Sequence, residues 1–207
     1  ARVWQARCDP NLRVNQSLTS HLEITIPEYD LTMTALPNVF SRESLDIGSR
    51  FFLHHFDRLP MRDKVADLAC GYGVLGLAYL RSHPQAHLIF CDESFQAVMS
   101  TRINQEKNIP NAKSSIYADD GLKQVEEGSL DLVICNPPFH QQHTISADLA
   151  HSMFQDAYRS LKLGGELWIV ANRHLGYHIH LKRLFGHCSV EASDKKFVIL
   201  RSIKSSR

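Results

Sequence analysis

Three clusters of residues in this 207-residue sequence have types and spacings that suit chemistry on a small ligand. The first is Asp67-Leu-Ala-Cys-Gly71-Tyr-Gly73, which follows a short apolar run and precedes a helical pattern. Glycines at such a bend let the backbone approach a ligand closely and adopt dihedral angles that a side chain disfavours. The cluster therefore predicts a ligand-binding turn between a strand and a helix.

This turn fits two classes of ligand. Residues 71–76 read G-x-G-x-x-G, and Asp92 lies about twenty residues further on, as in dinucleotide-binding proteins. Asp67 argues against a dinucleotide, because a carboxylate just before the first glycine repels a pyrophosphate. It attracts a ligand with an ammonium and a sulfonium, and S-adenosylmethionine has both. Asp92 has the same role in either case, since its carboxylate can accept hydrogen bonds from both ribose hydroxyls.

The second cluster is Asp119-Asp120, which follows the third predicted strand. Ligands of open parallel sheets bind at the carboxyl ends of the strands, so an acid here can accept a hydrogen bond from an adenine amino group. We favour Asp120 for this contact, with Asp119 as the other candidate. The structural alternative is an acid that merely forms the turn before Gly121.

The third cluster is Asn136-Pro137-Pro138-Phe139, directly after the apolar run 130–135. The prolines end the strand and stiffen the loop, and Pro137 keeps its carbonyl as an acceptor. This carbonyl and that of the Asn136 side chain can hold both hydrogens of an NH₂ group on a conjugated ring, favouring a tetrahedral nitrogen as a methyl group arrives. Phe139 offers a ring on which a flat base can stack. Hydride transfer has no use for this set, so the residues favour methyl transfer to a planar amine.

An α/β scaffold is predicted to position these clusters. From about residue 63, short apolar runs alternate with helical patterns, which indicates a mostly parallel sheet covered by helices on both faces. The predicted strands are 65–68, 87–91, 114–117, 130–135 and 166–171, and the predicted helices are 74–81, 94–108, 148–161 and 177–185. We expect Gly164-Gly165 to stop the third of these helices. A hairpin over about 188–203 ends the chain, while 22–26 and 30–34 are predicted strands and 44–56 a predicted helix upstream.

Composition and charge narrow the class of protein. The length fits one domain, and no apolar run reaches the roughly 18 residues of a membrane span. Five scattered cysteines without a CxxC pair favour a reducing cytosol over disulfides or a thiolate zinc site. Residues 172–207 carry eight Lys or Arg against two Asp or Glu, a net +6 in a chain of net +1. We expect a phosphate-facing surface there, with a solvated tail as the alternative.

The sequence resembles the bacterial rRNA guanine-N2 methyltransferases, a family with an N-P-P-F-H loop. The likeness runs from about Leu31 to the end, and its matching stretches are 38–42 (NVFSR), 45–48 (LDIG), 67–73, 136–140 (NPPFH) and 165–172 (GELWIVAN). Residues 136–142 and 170–175 are most similar to the large-subunit members and less similar to the small-subunit ones. Ala69 stands where glycine is more common, and we expect this to matter little.

The resemblance implies a Rossmann-like class I fold, S-adenosylmethionine as cofactor, and a guanine of 23S rRNA as substrate in the bacterial cytoplasm. It places Phe40 and Ser41 against the cofactor, and assigns Asn136, Pro137 and Phe139 to catalysis with Asn136 also beside the cofactor. Members have an upstream degenerate copy of the fold, and this chain begins with Ala rather than Met. We therefore interpret residues 1–36 as a segment from a missing upstream domain and 37–207 as the catalytic domain. A monomer without a metal is expected.

The predicted contacts to RNA phosphates are Arg173, Lys182, Arg183, Lys195 and Lys196. Four alternatives stay open: methylation of a 16S rRNA guanine, DNA adenine-N6 methylation, protein glutamine-N5 methylation, and a non-catalytic RNA-binding module. The glutamine enzymes use a similar loop, usually with Tyr in place of Phe139, and do not need the basic C-terminal end. His140, just past the loop, is a weaker candidate as proton acceptor, since solvent can serve.

Overall fold

The computed structural model describes residues 23–138 and 143–206. The strands of this part of the chain are β1 (Glu23–Ile26), β2 (Leu31–Thr34), β3 (Lys64–Leu68), β4 (His87–Asp92), β5 (Ser114–Ala118), β6 (Leu130–Cys135), β7 (Leu161–Asn172), β8 (Ser189–Ser193) and β9 (Phe197–Ile203). Its α-helices are α1 (Ile47–Leu53), α2 (Val74–Ser82), α3 (Phe95–Asn108), α4 (His143–Ser160) and α5 (Tyr177–Phe185).

Seven strands form one sheet in the order β5-β4-β3-β6-β7-β9-β8. The first five are mutually parallel, and β9 runs antiparallel to both β7 and β8. Both the mostly parallel sheet and the antiparallel C-terminal hairpin were predicted from the sequence, and both are confirmed. The carboxyl ends of the five parallel strands therefore meet at one edge, which is where ligands of such sheets bind.

The sheet is buried on both faces because successive side chains of a strand point to opposite sides. In β3, Val65 packs in the core under α1, α2 and α3, whereas its neighbour Ala66 packs in the core under α4 and α5. Both residues have zero exposure, and the same holds for Leu132 and Val133 of β6. This two-sided burial explains why the strands appear in the sequence as continuous apolar runs rather than alternating ones.

The hairpin formed by β1 and β2 joins this core through α3. Asn104 and Asn108 are four residues apart, so they share one face of the helix. Asn104 accepts a hydrogen bond from the Thr34 amide and donates one to the Thr34 carbonyl, both at 2.8 Å, and Asn108 makes the corresponding pair with Thr32 at 2.8 and 3.0 Å. Asn104 also donates to the Tyr72 carbonyl at 2.8 Å, which ties the hairpin to the glycine-rich turn.

The connection from α4 to β7 differs from the prediction. The helix ends at Ser160 and the strand begins at once with Leu161, so Gly164 and Gly165 lie inside β7 and do not end the helix. Leu130 of β6 pairs with Leu161, and the register shifts before Leu132. A Cβ on Gly165 would lie 3.1 Å from the Leu130 carbonyl oxygen, and Gly164 has a φ of +80°. The glycines accommodate this irregular pairing, a tertiary requirement that a turn signal does not reveal.

The predicted helix over 44–56 is also shorter than expected. It begins at Ile47, after Asp46 accepts a hydrogen bond from the Ser49 amide, and a separate 3-10 turn covers Phe56–Arg58. The other predicted helices agree with the structure to within about one residue, except for the earlier start of α4 at His143.

Candidate active site

A cavity of about 270 Å³ opens at the carboxyl ends of β3, β4, β5 and β6, beside the loop that precedes α1. Residues from all three predicted clusters line it. The predicted site residues in its walls are Phe40, Ser41, Asp67, Gly71, Asp92, Asp119, Asp120, Asn136 and Pro137. Phe139 and His140 lie outside the described residues.

Asp67, at the end of β3, connects the cavity to a helix. The residue is 1% exposed, and its Oδ2 accepts a hydrogen bond of 2.8 Å from the amide of Gly76 in the first turn of α2. Gly73 precedes that helix and has no side chain to cap it, so Asp67 provides the missing oxygen. Burial raises the pKa of Asp67 to about 7, opposed by the Gly76 hydrogen bond and assisted by the charge of Asp92.

The glycine-rich turn is held by Asp92 of β4. The Gly71 amide donates to Asp92 Oδ2 at 2.8 Å, and the Ser94 amide donates to Oδ1 at 2.9 Å. Burial raises the pKa of Asp92, against these two backbone hydrogen bonds. Because a carboxylate oxygen has two lone pairs, each oxygen keeps acceptor capacity for a ligand.

Left-handed backbone occurs at three positions of this turn. Gly71 has a φ of +57°, Gly73 of +85° and Ala69 of +58°. Gly73 does not line the cavity, and a Cβ there would lie 2.9 Å from Thr101 Cγ2, so glycine is needed for packing against α3. Ala69 is strained, since an L-residue with a side chain disfavours this region by about 1–2 kcal/mol. Alanine in place of the more common glycine at this position therefore has an energetic cost, although we expected from the sequence that it would matter little.

The two acids after β5 have different surroundings. Asp119 accepts a hydrogen bond from the Gln124 amide at 2.9 Å, and its own amide donates to the Asp92 carbonyl at 3.0 Å. Asp120 is 62% exposed and forms an ion pair with Lys123, with 2.5 Å between Oδ2 and Nζ. Asp119 is thus the less exposed of the two acids, and its backbone is fixed to the neighbouring strand.

Asn136 directly follows β6 and is oriented by two acceptors. Its Nδ2 donates to Asp46 Oδ2 and to Ser49 Oγ, each at 2.9 Å. Its Oδ1 is buried and has no hydrogen-bond partner among the described residues. A buried carbonyl oxygen without a donor is costly, so this atom has an unused capacity to accept a hydrogen bond.

Three residues near Asn136 were not singled out by the sequence analysis: Asp46, Ser49 and Tyr72, all in the cavity wall. Asp46 had a detectable signal, because an acid directly before a helical pattern is a typical N-cap. The Tyr72 hydroxyl is buried with no partner among the described residues. Burial raises the pKa of Tyr72, and the charge of Asp46 adds to this effect.

The five predicted phosphate contacts divide into two groups, and none of them lines the cavity. Arg173, Lys195 and Lys196 lie together beside the carboxyl end of β7, where the Arg173 amide donates to the Lys196 carbonyl at 3.0 Å. Lys182 and Arg183 lie in the last turn of α5, and Arg183 borders a separate cleft between α4 and α5. Only the first group is thus on the same edge of the sheet as Asn136.

Within residues 23–138 and 143–206, no group of three or more His, Cys, Asp or Glu is placed to hold a metal ion. No helix in this part of the chain is long and apolar enough to cross a membrane. Its four cysteines, Cys70, Cys91, Cys135 and Cys188, are free thiols.

The strand order, the glycine-rich turn after β3 and the acid at the end of β4 together define the class I methyltransferase fold. The chain belongs to the methyltransferase small domain family, whose model matches residues 30–201.

Two relatives carry the same description, ribosomal RNA large subunit methyltransferase G. The protein from Stutzerimonas stutzeri is 53% identical over 168 residues, and the one from Aeromonas salmonicida is 53% identical over 171 residues. Each match covers 81% of this chain and 45% of the relative. This chain therefore spans about half the length of the curated relatives it matches.

Solved structures agree on the fold. A 16S rRNA N2 methyltransferase from T. thermophilus, in complex with AdoMet and guanosine, is 27% identical with a TM-score of 0.77, and the match covers 89% of this chain and 50% of that one. A methyltransferase from Pyrococcus furiosus has a TM-score of 0.64 at 15% identity, and the match covers 85% of this chain and 90% of that one. At this identity the likeness shows the fold alone.

Proposed function

We propose that this chain is the catalytic domain of an S-adenosylmethionine-dependent methyltransferase that modifies N2 of a guanine in 23S rRNA. The single observation that carries the proposal is the Asn136 carboxamide. Its nitrogen is occupied by Asp46 and Ser49, which leaves a buried carbonyl oxygen for an N–H donor. An aromatic NH₂ is a donor of the required kind. The similarity to ribosomal RNA large subunit methyltransferases favours rRNA as the substrate, and the similarity to a 16S rRNA N2 methyltransferase in complex with guanosine favours guanine as the base.

The residues of the cavity fit the cofactor. Asp67 is a buried carboxylate, and none of the ion pairs of the described residues involves it. A cationic ligand would compensate the cost of this burial, whereas a pyrophosphate would increase it. Asp92 has acceptor capacity for ribose hydroxyls, and Asp119 for an adenine amino group. We infer that Phe40, Ser41 and Gly71 complete the walls around the ligand.

The mechanism follows from two acceptors on one nitrogen. When bound, S-adenosylmethionine supplies an electrophilic methyl group on its sulfonium. Asn136 Oδ1 and the Pro137 carbonyl hold the two hydrogens of the target amine, with Phe139 as the stacking platform for its ring. This keeps the nitrogen lone pair directed at the methyl carbon and stabilises the positive charge that develops on nitrogen. The extra proton then leaves to solvent, with His140 as a weaker acceptor.

The RNA surface is proposed from charge and position. Arg173, Lys195 and Lys196 lie on the same edge of the sheet as Asn136, and Lys182 and Arg183 extend the positive C-terminal region. Phosphate contacts release counterions, so we expect five such contacts to make the affinity for 23S rRNA fall by a factor of about 10²–10³ between 50 and 200 mM salt. Affinity that hardly changes with salt would contradict this surface.

The organisation of the longer protein is part of the same proposal. Residues 1–36 would connect an upstream domain, and residues 37–207 would act as the catalytic domain. Residues 23–34 nonetheless pack on α3, so the hairpin contributes to the same core. We expect a monomer in the bacterial cytoplasm, where ribosomal RNA is made.

The deciding experiment is transfer of tritiated methyl groups to unmodified 23S rRNA, 16S rRNA and a glutamine-containing release-factor-type peptide, followed by mapping of the modified atom. Label on guanine N2 of 23S rRNA is expected. Label on 16S rRNA or on glutamine would support those alternatives, and RNA binding without any transfer would support a non-catalytic module. Calorimetry with S-adenosylmethionine and with NAD tests the cofactor, since binding of NAD alone would refute the proposal.

A further inference from the structure

The orientation of the Asn136 carboxamide depends on α1. Its Nδ2 lies 2.9 Å from Asp46 Oδ2 and 2.9 Å from Ser49 Oγ, so both of its N–H groups have an acceptor. The same Asp46 oxygen also accepts the Ser49 amide at 2.8 Å and thereby caps α1. One carboxylate oxygen therefore joins the first turn of a helix to the loop after β6.

We propose that Asp46, assisted by Ser49, is a positioning residue for methyl transfer, because it fixes which end of the Asn136 carboxamide faces the target amine. This inference rests on the proposed function and concerns the same site. It assigns Asp46 no contact with the reacting atoms, since its effect passes through Asn136.

A carboxamide can rotate so that its oxygen and nitrogen exchange places with almost no change in shape. In the rotated state Asn136 would present an NH₂ group to the NH₂ of the base, so two donors would face each other. Asp46 opposes that rotation, because an ionised carboxylate accepts hydrogen bonds only and repels a carbonyl oxygen. It also polarises the amide, which increases the negative charge on Oδ1 where positive charge develops during transfer.

Tight packing around Asp46 holds its carboxylate against the Asn136 carboxamide. Gly48 is buried, and a Cβ there would lie 3.0 Å from Asp46 Oδ2, 3.3 Å from Phe197 Cε1 and 3.5 Å from Asn136 Oδ1. The ring of Phe197 stacks on Phe51 of α1 with centroids 6.1 Å apart. The antiparallel strand β9 therefore supports the helix that orients the carboxamide, although it contributes no residue to the cavity wall.

The first test separates orientation from helix capping. Asp46→Ser keeps an N-cap oxygen for α1 but is too short to reach Asn136, and Ser49→Ala removes the second acceptor. With unmodified 23S rRNA and saturating S-adenosylmethionine, we expect the single-turnover rate to fall on the order of 10- to 100-fold in Asp46→Ser. The Kd for adenosylhomocysteine should change by less than about threefold, because the carboxylates assigned to the cofactor, Asp67, Asp92 and Asp119, are unchanged. Asp46→Asn keeps a carbonyl oxygen at this place and should recover part of the lost rate.

The second test asks whether Asp46 acts through Asn136. If it does, adding Asp46→Ser to Asn136→Ala should slow the reaction no further than Asn136→Ala alone, since there is no carboxamide left to orient. Losses that multiply would overturn the inference and indicate an independent structural role. Full activity of Asn136→Ala would instead refute the proposed function, whereas an inactive Asn136→Ala with a fully active Asp46→Ser would refute this inference alone.

A third measurement needs no turnover. In the 207-residue parent chain labelled with ¹⁵N, both side-chain N–H signals of Asn136 should exchange slowly with solvent. In Ser49→Ala and in Asp46→Ser, which each remove an acceptor, these signals should shift upfield. Signals that are the same in the parent chain and in both variants would overturn the inference even if neither variant could be assayed with RNA.

Discussion

Asp67 shows how one buried carboxylate serves both the fold and the ligand. Its hydrogen bond to Gly76 caps α2, and its burial raises its pKa to about 7. Because the folded-state pKa lies above the unfolded value, the stabilising contribution of neutral Asp67 is present at low pH and lost as pH rises through about 7. A bound cation would restore that loss, so cofactor affinity and the charge of this residue should be linked.

We therefore predict that affinity for S-adenosylmethionine weakens as pH falls from 8 to 6, because Asp67 becomes protonated and no longer attracts the cationic ligand. Below the pKa the loss approaches a factor of about 10 per pH unit. Calorimetry at several pH values measures it, and Asp67→Asn is the control: its weaker binding should lose most of this pH dependence. An equally steep profile in Asp67→Asn would assign the effect to another group.

Ala69 offers a second prediction at this scale. Its φ of +58° is one that glycine adopts without strain, so Ala69→Gly should raise the free energy of unfolding. Allowing for the greater unfolded-chain entropy of glycine, we expect a net gain of up to about 1 kcal/mol. Urea denaturation measures this gain. A clear loss of stability would mean that the packing of the Ala69 methyl group stabilises the fold by more than the strained backbone destabilises it.

At the scale of elements, Asn104 of α3 connects the β1–β2 hairpin to the glycine-rich turn after β3. This side chain has zero exposure and makes hydrogen bonds to both backbone groups of Thr34 and to the Tyr72 carbonyl. The asparagine thus takes the place that a neighbouring strand would occupy beside β2. The hairpin and the cofactor turn are consequently coupled, although they are far apart in sequence.

We predict that Asn104→Leu destabilises the chain by about 2–4 kcal/mol, since it leaves three buried backbone groups without partners. It should also weaken S-adenosylmethionine binding, because the turn at Tyr72 is released. Asn108→Leu is the matched control, as it breaks the hydrogen bonds to Thr32 but makes none to the turn. Equal effects of both variants on cofactor affinity would disprove the coupling between hairpin and turn.

At the scale of the whole molecule, the edge of the sheet opposite the cavity is stabilised by a charge network. Glu166 of β7 is 3% exposed and pairs with Arg62 at 2.9 Å and Arg201 at 2.7 Å, and Trp168 donates to it at 2.8 Å. Burial alone would raise the pKa of Glu166, but the hydrogen bonds from Arg201 and Trp168 and the charges of both arginines lower it overall. Stabilisation from a lowered carboxyl pKa is present above the unfolded value and is lost as pH falls through the folded one.

We predict that Glu166→Gln lowers the free energy of unfolding by about 3 kcal/mol at pH 7, because two arginines lose their counter-charge at a buried site. The difference from the parent chain should shrink as pH falls through the lowered pKa of Glu166, where the glutamate itself becomes neutral. Cofactor affinity should stay unchanged, since the network lies away from the cavity. Thermal unfolding from pH 7 down to about pH 2, well below the ordinary pKa of glutamate, provides the measurement, and a constant difference over this whole range would exclude an ionic origin.

The sequence by itself determined the strand–helix alternation and the three clusters at the carboxyl ends of the strands. Those signals are local: a buried parallel strand is an apolar run, and a glycine-rich turn or an N-P-P loop is contiguous in the chain. The prediction that Gly164 and Gly165 end α4 is wrong for the same reason: their local signal is that of a helix stop, whereas the pairing of Leu161 with Leu130 places them inside β7.

Only the tertiary structure decided how the candidate site is oriented. The contact of Asp46 with Asn136 spans 90 residues, and that of Asn104 with Thr34 spans 70. No periodicity or spacing encodes such contacts, because they arise when elements from separate parts of the chain pack on a common sheet. The residues that can do chemistry can thus be identified from the sequence, but the direction in which the Asn136 oxygen points depends on α1 and on β9, which packs behind it.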